Sequence, residues 1–132
     1  MGYSSRATGN ITITPPLTWG DISDSPYLPE RVNRDGNWRD VQYVTSDTTV
    51  NTDQGQLAIR VATGVEPCDP DDSMKRYDVV PQLAEIVSMF PDRQFSGAIY
   101  MIGEDGDRWR CVVRDGAVIE QRPTIVWPDG DR

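Results

Sequence analysis

At 132 residues, with 37% apolar and 26% charged side chains, the chain fits one soluble domain whose core needs no staples, and it is too apolar for outright disorder. Histidine is absent, which excludes Ser-His-Asp and Cys-His nucleophilic catalysis, and with two cysteines neither an imidazole nor a four-thiolate zinc site can form. The formal charge of -8, from 21 acids against 13 bases, disfavours direct binding to DNA, RNA or anionic lipid.

The start, Met1-Gly2-Tyr3-Ser4-Ser5-Arg6, carries no apolar leader, and Arg6 stands where a myristoylation site requires Ser or Thr. No apolar run approaches the roughly 18 residues of a membrane span. The expectation is a cytoplasmic protein in which Cys68 and Cys111 remain separate buried thiols and the Asn10-Ile11-Thr12 sequon goes unused.

Alternation of Ile11 and Ile13 with polar neighbours predicts a strand over 10–14, which Pro15 and Pro16 end. Thr18 and Asp21 form a capping box with Asp in place of Glu, predicting a short helix that turns Leu17, Trp19 and Ile22 inward. Pro26 and Pro29 close it, and Asn33, Asp35-Gly36 and Asn37 mark a turn-rich loop. Strands are predicted over 40–45 and 56–63, with the threonine-rich segment 46–54 as a hairpin tip or mobile loop. Two prolines and four acids make 66–72 irregular. Val79, Val80, Leu83, Ile86, Val87 and Phe90 then recur at helical spacing, predicting one long helix over 78–90, capped by Asp78 and stopped by Pro91.

The segment 95–102 is apolar on both alternating sets, as in a strand covered on both faces. Asp115-Gly116 joins 108–114 to 117–122 as a hairpin. A three-residue loop, Arg114 to Gly116, pairs Cys111 with Ile119 and Arg110 with Glu120, and is preferred because apolar and opposite-charge pairs both improve. Ile125, Val126 and Trp127 complete a last strand before a frayed tail over 128–132. This order predicts an α+β domain over 1–132: a ferredoxin-like βαββαβ core with extra C-terminal antiparallel strands, the long helix packed on the sheet.

Little of this carries chemistry. The acids of 66–72 and 104–107 read as solvated turns: counted from Asp69, the calcium-loop pattern requires glycine where Met74 stands and glutamate where Val80 stands. No glycine-rich phosphate cradle occurs. Arg108, Arg110 and Arg114 alternate on one strand, where they either bind a carboxylate or phosphate or pair locally with acids on a solvent face. Trp109 and Trp127 are expected in the core. Trp38 is expected exposed, either as a contact anchor or as a cap over its own loop.

Met1-Gly2-Tyr3 and the stretch Gly9 to Trp19, with Trp109-Arg110, Val112 to Gly116 and Pro123 to Pro128, resemble small uncharacterised proteins of actinobacteria and their phages over nearly the whole chain. Leu83 through Phe90-Pro91 to Asp115-Gly116 is similar to the ferredoxin-like domain of certain phage and plasmid proteins. The first resemblance implies a phage-encoded accessory protein. With the absent catalytic equipment, it leads to the expectation of a non-enzyme, without cofactor or metal, that binds a host protein through residues such as Trp38, Arg108, Arg110 and Arg114. The alternatives are an acidic DNA mimic that occupies a basic site on a nuclease or repressor, or an anti-defence inhibitor, and a metal-dependent hydrolase using the loop acids.

Overall fold

Alternating side chains build most of the chain into one antiparallel sheet, seen in a computed structural model that describes residues 3–70 and 72–130. Met1, Gly2, Asp71, Asp131 and Arg132, which belong to the predicted leaderless start, acidic loop and frayed tail, lie outside the described residues. The elements are β1 (Ser4–Leu17), α1 (Trp19–Ile22), β2 (Val41–Thr52), β3 (Gly55–Pro67), β4 (Met74–Lys75), α2 (Val79–Met89), β5 (Gln94–Gly103), β6 (Arg108–Arg114) and β7 (Ala117–Gln121). Across the sheet the order is β2-β3-β1-β5-β6-β7, with β4 a two-residue addition to β1.

The ferredoxin-like α+β expectation is corrected: the fold is a seven-stranded antiparallel sheet with two short helices. The capping box forms as read, with Thr18 Oγ1 accepting from Asp21 N and Asp21 Oδ2 from Thr18 N, but α1 lasts only four residues. Its chain then runs irregularly to β2, so the first helical layer is missing. The second helix is α2, whose eleven residues make three turns rather than a long helix. Asp78 makes no side-chain cap; its own N–H donates to Asp40 Oδ2 instead.

One face of the sheet is covered and the other is not. Ala7, Ile11 and Ile13 of β1, Val65 of β3, Tyr43 of β2, Phe95, Ile99 and Met101 of β5 and Cys111 of β6 share the inner face, against Leu83, Ile86 and Val87 of α2. Tyr27 and Leu28, from the irregular segment after α1, complete the cover. This segment is tied to α2 and β2: Tyr27 Oη bonds Glu85 Oε1, and Tyr43 N donates to Tyr27 O at 2.9 Å. Cys68 and Cys111 are buried and unpaired, and burial pushes both thiols up to about 12, so neither is a ready nucleophile.

Several boundaries move for identifiable reasons. β1 begins at Ser4 and passes through Pro15 and Pro16, because its register against β3 shifts between Thr12 and Leu17 and the prolines sit in that irregularity. The threonine-rich segment is strand, with β2 and β3 paired from Val41–Pro67 out to Thr52–Gly55. β5 is covered on one face only, since Tyr100 and Ile102 are exposed. The hairpin closes with two residues: Asp115 and Gly116 both take positive φ (51° and 78°), as the tight turn that follows strand twist requires. Cys111 therefore faces Glu120 and Val113 faces Val118, not the bulged register. Glu120 tolerates this because β7 is an edge strand and its carboxylate reaches water. Residues 125–127 form no strand, and Trp127 is 61% exposed, as is Trp19 at 42%; neither fills the core.

Two central glycines set the close approach of strands. Gly97 of β5, opposite Ile11, has φ +105°, and a Cβ there would lie 2.6 Å from Asn10 O. Gly9, opposite Ile99, has φ +86° and would meet Ala98 O at 2.5 Å.

Candidate functional site

On the uncovered face, register stacks side chains from neighbouring strands into rows. Arg6, Ile102 and Arg108 form one row, and Thr8, Tyr100, Arg110 and Gln121 form the next. Asn10, Ala98, Val112 and Ile119 follow. None of the outward positions from Arg6 to Thr14 on β1, Gln94 to Ile102 on β5, Arg108 to Arg114 on β6 or Ala117 to Gln121 on β7 is acidic. In a chain with 21 acids, this is a cationic face on an anionic protein.

The groups at its β6–β7 end are held in place. Arg110 lies with Cζ 5.9 Å from the Tyr100 ring centroid, and its Nε donates to Gln121 Oε1 at 2.7 Å. Arg122, just beyond β7, has Cζ 5.7 Å from the Trp109 ring centroid and donates to Asp107 Oδ2 at 2.7 Å. A concavity of about 740 Å³ opens between Tyr100, Arg108 and Arg110 on one side and the departing segment 122–124 on the other. Among the described residues, no side-chain hydrogen bond or ion pair engages the guanidinium of Arg6 or Arg108, so their donors face water. Free guanidinium forks beside an anchored one and a tyrosine can take carboxylates bidentately.

The structure thus brings Arg108 and Arg110 together. Arg114 sits at the other end of β6, beside Arg93, Gln94 and Asp115, and is not part of this cluster. Trp38 borders a separate concavity with Asp40, Asp69 and Asp78. Its turn is built by Asn33, Asp35 and Gly36, all at positive φ, with Asn33 N bonded to Asn37 O and Asn37 Nδ2 to Pro26 O. At 72% exposure the indole does not cap this loop. Tyr100, Arg6 and Gln121 carry no sequence signal as site residues: Arg6 lies outside the predicted strand, and Tyr100 lies within a strand predicted to be covered on both faces.

The acidic loops hold internal partners. The loop after β3 wraps the guanidinium of Arg76: Nε donates to Ser5 O, Nη1 to Cys68 O, and Nη2 to Asp69 O and Asp72 O, all at 2.8–3.0 Å. In the 104–107 turn, Asp105 accepts from Asp107 N and from Tyr3 Oη. Among the described residues, no three Asp, Glu or Cys side chains converge in a way that could hold a metal ion. Among the described residues no helix is long and apolar enough to cross a membrane.

A family of unknown function (DUF6205) matches residues 1–132, and the chain belongs to that family. No curated protein and no solved structure matches it.

Proposed function

We propose that this DUF6205 member is a non-enzymatic binding protein that holds a partner protein against the outer face of its sheet, at the β5–β6–β7 end. The observation that carries the reading is the acid-free face, with Arg6, Arg108, Arg110, Tyr100, Ile102 and Ile119 exposed or half-buried upon it. Protein interfaces are enriched in Arg and Tyr and depleted in Lys, Asp and Glu at their centres, and this face has that composition. Its charge selects an acidic partner surface. Beyond about 8 Å at physiological salt the net -8 is screened, so the local arginines decide. A nucleic acid suits the face less well. Stacking platforms present successive rings, whereas Tyr100 is the one exposed aromatic among its outward positions. A phage-encoded accessory protein that binds a host protein is the setting in which we place this activity.

A fluorescein-labelled oligo-glutamate peptide, followed by anisotropy at physiological ionic strength, tests the reading. Combined Arg108→Glu and Arg110→Glu should weaken binding by at least about tenfold, equivalent to about 1.4 kcal/mol, while Trp38→Ala leaves it unchanged. Equal binding by the double variant, no binding by the native protein, or tighter binding of a single-stranded oligonucleotide of equal charge would overturn the proposal.

A further inference from the structure

The sheet has two edges, and they differ. β7 spans five residues and ends where the chain departs at Arg122. β2 is long, and only its first part is covered, where Tyr43 N donates to Tyr27 O. Beyond Thr45 it pairs with β3 alone, while β3 leaves β1 after Ala62–Leu17. Residues Ser46–Thr52 and their β3 partners therefore stand out as a two-stranded arm about 23 Å long at roughly 3.3 Å per residue.

An isolated hairpin of this kind is marginal in water. The arm's root is fastened, with Arg60 over Trp19 at 5.6 Å and Arg60 Nη2 bonded to Glu30 Oε1 at 3.0 Å. Its outer part has no such support, and every residue from Ser46 to Thr52 is exposed. One side of the arm carries Thr48, Val50, Leu57 and Ile59; the other carries Asp47, Thr49, Asn51 and Arg60. The edge has no proline, lysine or bulge over these seven residues, the devices that normally keep edges apart.

We infer that two copies of this chain pair through this edge, β2 against antiparallel β2, about a two-fold axis at Thr49. The segment is self-complementary in that register. Thr49 meets Thr49 of the second copy, Thr48 meets Val50, Asp47 meets Asn51 and Ser46 meets Thr52. β-Branched residues face each other, the single acid of each copy faces an amide, and no like charges oppose. The pairing is isologous, so it closes as a dimer and does not propagate. It also joins the Val50–Leu57 strip of one copy to Thr48 and Ile59 of the other. This contact is separate from the arginine face and stands or falls without it.

Light scattering after size exclusion at micromolar concentration should give twice the 14.8 kDa chain mass, and Thr49→Lys, which sets two ammonium groups on the axis, should give the monomer mass. Thr49→Cys should cross-link rapidly under mild oxidant, since directly opposed residues lie about 4.5–5.5 Å apart at Cα, within disulfide reach. Thr52→Cys should cross-link at least tenfold more slowly, because its two copies are about 20 Å apart in this register. Cys68 and Cys111 are buried and supply no background. A monomer mass for the native protein, a dimer indifferent to Thr49→Lys, or equal cross-linking at 49 and 52 would each overturn the inference.

Discussion

Arg76→Met should lower the unfolding free energy by about 3 kcal/mol or more, seen as a fall of roughly 10 °C or more in the thermal midpoint. Arg76 is 6% exposed, and its guanidinium donates to the carbonyls of Ser5, Cys68, Asp69 and Asp72. Burial holds its pKa below the usual arginine range, and the Asp40 carboxylate opposes that shift. Methionine fills a similar volume but donates nothing. Carbonyls that now converge on a cation would be left facing one another in a site largely closed to water. Arg76→Lys keeps the charge and loses the planar fork, so it should fall between the two. Amide exchange should accelerate first over 66–78, the segment that the guanidinium gathers against β1. A midpoint for Arg76→Met within about 2 °C of native would show that those carbonyls are satisfied without it.

Gly97→Ala should cost about 3 kcal/mol, again a fall of roughly 10 °C. Two effects add: a positive φ of 105° strains any L side chain, and the new Cβ would sit 2.6 Å from Asn10 O on the neighbouring strand. Because β1 and β5 are the two central strands, relief requires them to separate where both pack onto the core. Gly36→Ala isolates the first effect. Its φ is +80°, but nothing lies within 4 Å of the added carbon, so a loss of only about 1 kcal/mol is expected. Equal losses at the two positions would show that strand proximity at Gly97 contributes nothing.

Local rules were legible where a single residue type settles the local geometry. The stripe from Val79 to Val87 places α2, and Thr18 with Asp21 places α1. The glycine turns at Gly106 and Gly116 mark strand ends. Long-range pairing was not legible. Threonines at 48, 49 and 52 suit a polar loop and an exposed strand equally, and only the partner β3 makes them strand. The same holds for 125–127, which has strand-forming residues but no strand beside it. In the 114–117 hairpin, turn twist outweighs side-chain pairing in setting the register, and at an edge an inward-register glutamate costs little.

The candidate site divides in the same way. Alternating Arg108 and Arg110 are visible along the chain, but the face they occupy is assembled from β1, β5, β6 and β7, whose members run from Arg6 to Gln121. Arg6 and Tyr100 join the cluster only through register. The absence of acids from the outward positions of four strands cannot be read from a composition that is acidic overall.

The central claim is that the cationic sheet face is where a partner binds. Its most direct test is amide chemical-shift mapping of the ¹⁵N-labelled full chain titrated with the oligo-glutamate peptide. The account predicts changes concentrated at Arg6, Tyr100, Ile102, Arg108, Arg110 and Gln121, with Trp38 and its turn unmoved. Changes centred on the Trp38 loop or on the covered side of the sheet, or none at saturating peptide, would contradict it.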